Sequence, residues 1–161
     1  MTDLVFVDTN VFIYCIEEND PAKQQNARKW RSALWQSRHG RTGYQVLQEF
    51  YFQATRKWPL QREQIRKEID GLMTWNPVAV DGPILHGAWQ IQDRYLLSFW
   101  DALIIAAAQA SSCRYLLTEE LQHIGMMVAL VTRMQSKFTN YKNSGAKTKN
   151  DSRISMINRI V

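Results

Sequence analysis

Apolar residues along this chain fall into short runs divided by longer stretches with one polar and one apolar face. Residues 4–7, Leu-Val-Phe-Val, are rich in β-branched side chains, the pattern of a strand buried on both faces of a parallel sheet. Residues 11–16 continue as a short helix or turn beside it. Asn19-Asp20-Pro21 joins a capping residue to a proline at the first helical position. Ala27, Trp30, Leu34 and Trp35 follow at helical spacing, which places both tryptophans in the core. Residues 39–43 hold two glycines and an arginine and make only a poor second strand. Thr42 is placed to cap a helix over 44–57 with the stripe Val46, Leu47, Phe50, Tyr51 and Ala54, and Glu49 falls inside that stripe. Trp58-Pro59 breaks it. A further helix spans 60–75 with Ile65, Ile69, Leu72 and Met73 inward, and residues 78–80 read as a third short strand. Asp81 caps a helix with Pro83 near its start and Ile84, Leu85, Ala88 and Ile91 along it. Residues 102–108 are apolar all round, so their helix is central and buried. Residues 114–118 form a fourth strand and 126–132 an edge strand. This alternation predicts an α/β fold with a parallel, helix-covered sheet.

Charge divides the chain in two. From 133 to 161 there are seven basic residues against one acid, +6, which leaves −1 of the total +5 for residues 1–132. The expected organisation is therefore a near-neutral domain, 1–132, followed by a basic tail, 133–161, with a short terminal helix over 155–161. Such a tail either touches nucleic acid or is a solvated end. No run approaches the ~20 apolar residues of a membrane span, and the first residues carry no positive segment of a secretory signal. Cys15 and Cys113 lie in apolar surroundings and read as reduced, buried thiols, with a disulfide as the alternative. Together these point to the cytoplasm.

Four acids carry the candidate chemistry. Asp8 and Glu120 each follow a strand, Asp101 stands at the start of the buried helix, and Glu49 faces inward from another helix. In a parallel sheet the strand ends and helix starts share one edge, so these acids can converge there. Clustered carboxylates repel unless a cation neutralises them, and an all-oxygen set suits Mg²⁺ or Mn²⁺ rather than zinc. Singly, each acid has a structural alternative. Glu49 can pair with an arginine, and Asp101 can serve the helix dipole, worth ~0.3–1 kcal/mol. Ser98 can take the capping role instead and release Asp101. His39, His86 and His123 lack metal-ligand spacing. Trp58, Trp75 and Trp89 read as core or rim, whereas Trp100, beside Asp101, stands at a substrate edge. Arg94, Arg114 and Lys57 are candidates for holding a phosphate backbone. A phosphatase with an aspartyl nucleophile would need a second aspartate at position 10, where this chain has Asn10, so that reading falls.

Four stretches occur in a fixed order: Val7-Asp8-Thr9-Asn10-Val11-Phe12-Ile13-Tyr14, Val46-Leu47-Gln48-Glu49-Phe50-Tyr51, Ser98-Phe99-Trp100-Asp101-Ala102-Leu103-Ile104 and Leu117-Thr118-Glu119-Glu120-Leu121-Gln122-His123. In this combination the chain resembles the PIN-domain family, and within it the VapC-like ribonuclease toxins of toxin–antitoxin modules. The resemblance implies a three-layer α/β/α domain with a central, mostly parallel sheet and a metal-dependent endoribonuclease activity on RNA. It also implies a cognate antitoxin as partner and a homodimer. By position, Asp8 and Asp101 would be the principal ligands of Mg²⁺ or Mn²⁺, with Glu49 and Glu120 completing the cluster and Thr9, Asn10 and Thr118 supporting it. Glu120 stands where the family usually has aspartate, so the alternative is a catalytically compromised PIN-like protein that binds RNA or an antitoxin without cleaving.

Overall fold

The computed structural model describes residues 3–118 together with the backbone of residues 127–130. The basic segment 133–161, the terminal helix expected within it, and Glu120 and His123 lie outside the described residues. In chain order the elements are β1 (Val5–Val7), α1 (Thr9–Ile16), α2 (Pro21–Ser37), β2 (Gly40–Arg41), α3 (Tyr44–Lys57), α4 (Arg62–Leu72), α5 (Gly82–Tyr95), α6 (Phe99–Ala110), β3 (Tyr115–Thr118) and β4 (Met127–Leu130). The strands make one sheet in the order β2-β1-β3-β4. β1 is parallel to both neighbours, with Phe6 opposite Arg41 on one side and Leu116 on the other, and β4 runs antiparallel to β3. The sheet is thus mostly parallel, as the alternation of elements requires.

Val5, Phe6 and Val7 are all almost fully buried. Successive side chains on a strand point to opposite faces, so helices cover both faces of β1. On the one hand α1 packs against α2 and α3, and α3 against α4; on the other α5 packs along α6. All seven residues 102–108 of α6 are buried, as expected of a helix apolar on every side. The cap signals also hold: the Asp20 side chain accepts from the Lys23 amide, and the Asp81 side chain from the Ile84 amide. α5 ends at Leu96, whose left-handed backbone (φ 52°) turns the chain back toward α6.

Several expectations are corrected. Residues 78–80 are not a strand. Only Val78 pairs, bridging Gly43 through bonds to Thr42 O and from Tyr44 N, and Val80 is exposed. Thr42 does not cap α3, whose cap is Gly43 without a side-chain bond; its hydroxyl donates to Val7 O instead. The helix expected over 60–75 is split into 3₁₀ turns at Pro59–Gln61 and Met73–Trp75 on either side of α4, and Met73 is exposed rather than inward. Trp35 is also partly exposed, though its ring lies 5.8 Å from that of Trp75. Trp75 is the true core residue of this set. It meets Phe12 edge-on at 6.0 Å and covers Gly40, where an added Cβ would come within 2.5 Å of its ring. No helix among the described residues is long and apolar enough to cross a membrane.

Gly40→Ala forces either the indole or β2 to move, and overpacking of this kind costs about 1–3 kcal/mol. A matching drop in thermal midpoint, read by circular dichroism, is the expected result. Both cysteines are free and buried. Burial pushes the Cys15 thiol up to about 11 and the Cys113 thiol up to about 12, from an ordinary value of 9.0. The folded chain therefore keeps these protons to higher pH than the unfolded chain. Their contribution to stability is complete below the unfolded value and is lost as pH rises through the folded ones. Denaturant midpoints should fall above about pH 9, and neither thiol should react with a maleimide at neutral pH until the chain unfolds.

Candidate active site

β1 delivers Asp8 to the carboxyl edge of the sheet, and the next residue begins α1. Asp8 is the N-cap of that helix: Oδ1 accepts from the Thr9 amide at 2.7 Å. Oδ2 accepts from the Thr118 hydroxyl, also at 2.7 Å. Val7 lies opposite Leu117 and the Asp8 amide donates to Leu117 O at 3.0 Å, so the β1–β3 register brings Thr118 alongside. Only 8% of Asp8 is exposed. A carboxylate so enclosed is tolerable because an amide and a hydroxyl replace lost water, and the positive end of α1 favours its charge.

Thr9 links this acid to the next. Its hydroxyl donates to Glu49 Oε2 at 3.0 Å, while Gln53, one turn further along α3, donates to Oε1 at 2.9 Å. Glu49 is not in the buried sector of α3, as its place in the stripe implies; it is exposed and stands at the rim. Among the described residues no arginine pairs with it. The third acid, Asp101, comes from the first turn of α6. Ser98 caps that helix by accepting from the Asp101 amide at 3.1 Å, and its hydroxyl donates to Asp101 Oδ2 at 2.7 Å. Ser98 thus takes the capping role and orients the carboxylate at the same time.

Asp8, Glu49 and Asp101 line one cavity of about 380 Å³, together with Thr9, Asn10 and Thr118. Every acid and supporting residue expected at the site and lying within the described residues is there; Glu120 falls outside them. Among the described residues no Lys, Arg or His lines the cavity. Neither is any group of three His, Cys, Asp or Glu among them drawn close enough to hold a metal ion. The donor chemistry nonetheless fits a hard cation: among the described residues the lining offers carboxylates, hydroxyls and side-chain amides, with no thiolate or imidazole. Lys57 instead pairs with Glu17, and Arg114 with Asp3; neither lines the cavity, and nor does Arg94. Gln45, Gln48, Ile104 and Leu116 do line it and were not singled out by sequence. Gln45 stands one helical turn before Glu49 on α3 and Gln48 one turn after Gln45, a signal open to reading once Glu49 is placed.

The PIN domain family matches residues 5–123 of the chain. Among solved structures, a toxin-antitoxin complex from Klebsiella pneumoniae is similar at 20% identity and a TM-score of 0.58, over 73% of this chain and 88% of the other. VapBC2 from Rickettsia felis, crystallised bound to a DNA fragment from their promoter, is similar at 16% identity and a TM-score of 0.52, over 74% and 89%. None of the curated proteins matches.

Thr118→Val removes a donor from a buried carboxylate. The expected cost is about 1–2 kcal/mol, a fall of roughly 2–8 °C in thermal midpoint for a chain of this size. Thr118→Ser, which keeps the hydroxyl, should restore most of it.

Proposed function

The chain belongs to the PIN-domain family, and from that premise we propose that it is a metal-dependent endoribonuclease, the toxin of a toxin–antitoxin module. The observation that carries this reading is the convergence of three carboxylates, from β1, α3 and α6, on one cavity with no basic residue lining it among the described residues. Asp8 and Asp101 would hold Mg²⁺ or Mn²⁺, with Glu49 and Glu120 completing the site. Such an ion supplies a water of lowered pKa and stabilises charge developing on a phosphodiester. The chain's own part is positioning. Thr9 and Thr118 hold Asp8, Ser98 holds Asp101, and Thr9 with Gln53 holds Glu49. The acids are thus fixed before a cation arrives, and without one their charge repels the phosphates of RNA.

In this reading residues 1–132 are the nuclease unit and 133–161 a basic extension. The protein works in the cytoplasm as a homodimer that a cognate antitoxin holds inactive. Both structural neighbours, one a toxin-antitoxin complex and the other VapBC2, support an antitoxin partner. A second reading, a PIN-like protein that binds RNA or an antitoxin without cutting, is favoured by one observation: no three acids among the described residues close up into a ligand set.

A metal titration of wild type against Asp101→Asn separates the two. With Mg²⁺ or Mn²⁺ at 100 times its Kd, the wild type should gain about 2.7 kcal/mol of stability and cleave RNA. Asp101→Asn should lose the gain and at least ~100-fold of the cleavage rate. Stabilisation without cleavage would support the second reading, and no response to either ion would overturn the metal-dependent nuclease reading and leave the acids a structural role.

A further inference from the structure

We infer that Trp100 is a stacking platform for one base of the bound RNA, placed beside the carboxylates; this rests on the nuclease reading above. Trp100 is 64% exposed, a large apolar surface on an element whose residues 102–108 are all buried. Folding does not account for it. The other two exposed tryptophans among the described residues lean on rings away from the cavity, Trp35 on Trp75 and Trp89 on His86. Trp100 instead lines the cavity, immediately before Asp101 in the chain. Its ring meets Phe99 edge-on at 5.3 Å, which limits its rotation and lowers the entropy lost on binding.

The rest of the cavity suits the same ligand. Ile104 lies one helical turn beyond Trp100 and, with Leu116, extends the apolar wall. Gln45 and Gln48 supply amides on α3, which offer both donors and acceptors to the edge of a base. The three carboxylates turn phosphate oxygens away from this wall unless a cation intervenes, whereas a base is uncharged and presents a flat π-face. A cavity of about 380 Å³ is also in the size range of small-ligand sites. One acid for the phosphodiester, Asp101, and an indole for the adjoining base therefore sit on consecutive residues of one helix turn.

The test uses the full chain with Asp8→Asn, which silences cleavage and keeps a good helix cap, and a labelled single-stranded oligoribonucleotide in Mg²⁺. Adding Trp100→Ala should weaken binding by about 5- to 150-fold, the range for loss of one base–aromatic stack. Trp100→Phe should retain most of the affinity. With Asp8 intact, Trp100→Ala should raise KM by a similar factor and leave kcat little changed. Abasic sites introduced one nucleotide at a time should abolish the Trp100→Ala penalty at one position only, which a merely structural role would not produce. Unchanged Kd and KM in Trp100→Ala, or a penalty indifferent to every abasic position, would overturn the proposal. Trp100-sensitive binding without cleavage by the intact chain would sink the nuclease reading while the platform stands. Cleavage with a KM blind to Trp100 would do the reverse, and no RNA binding at all would overturn both.

Discussion

A negative charge enclosed at the end of the central strand has to be answered from every side, and Asp8 is answered by two different elements. The Thr9 amide belongs to α1 and the Thr118 hydroxyl to β3. The same carboxylate therefore starts a helix and locks the register of two strands. Register cannot slip by one residue here, because Thr118 would turn to the other face of the sheet and leave the acid short of a donor. Thr9 carries the constraint outward to Glu49 and so to α3. One buried acid thus ties β1, α1, β3 and α3 to a common edge, and the cavity lies on that edge.

Much of this was readable from local pattern. A run apolar on all sides, as at 102–108, has only the interior to go to, and the caps at Asp20, Asp81 and Ser98 are local signals of a few residues. The part that was not readable comes from distance and competition. Asp8 and Thr118 are 110 residues apart, and no periodicity reports such a pair. Thr42 has the right chemistry for a cap, but its hydroxyl is claimed by Val7 O across the sheet. Val78-Ala79-Val80 has the composition of a strand, yet only Val78 finds backbone partners. Glu49 was placed correctly on its helix and wrongly in depth, because the apolar stripe of α3 is wide and its edge opens on the cavity.

The site divides its labour between rigid and open parts. Asp8 and Thr118 are buried and doubly anchored, while Glu49 and Trp100 stand at the rim in contact with water. Rigid groups at the base hold charge in fixed places without reorganisation, the arrangement in which electrostatic stabilisation is most effective. Exposed groups at the mouth are where a polymer can enter and leave. α6 serves both ends, since its buried body fixes its first turn against the sheet and that turn carries Trp100 and Asp101 together.

The smallness of β2 has a consequence for the molecule in a crowded solution. An outer strand normally offers a row of open amides and carbonyls on which another chain can template itself, and natural sheets blunt that hazard. Here the outer strand is two residues long, Gly40 lies beneath the Trp75 ring, and Val78 takes up the backbone groups just beyond it. This flank of the sheet is accordingly a poor seed for amyloid-like growth. The glycine and arginine that spoil the strand propensity of 39–43 do so where a better strand would be a liability.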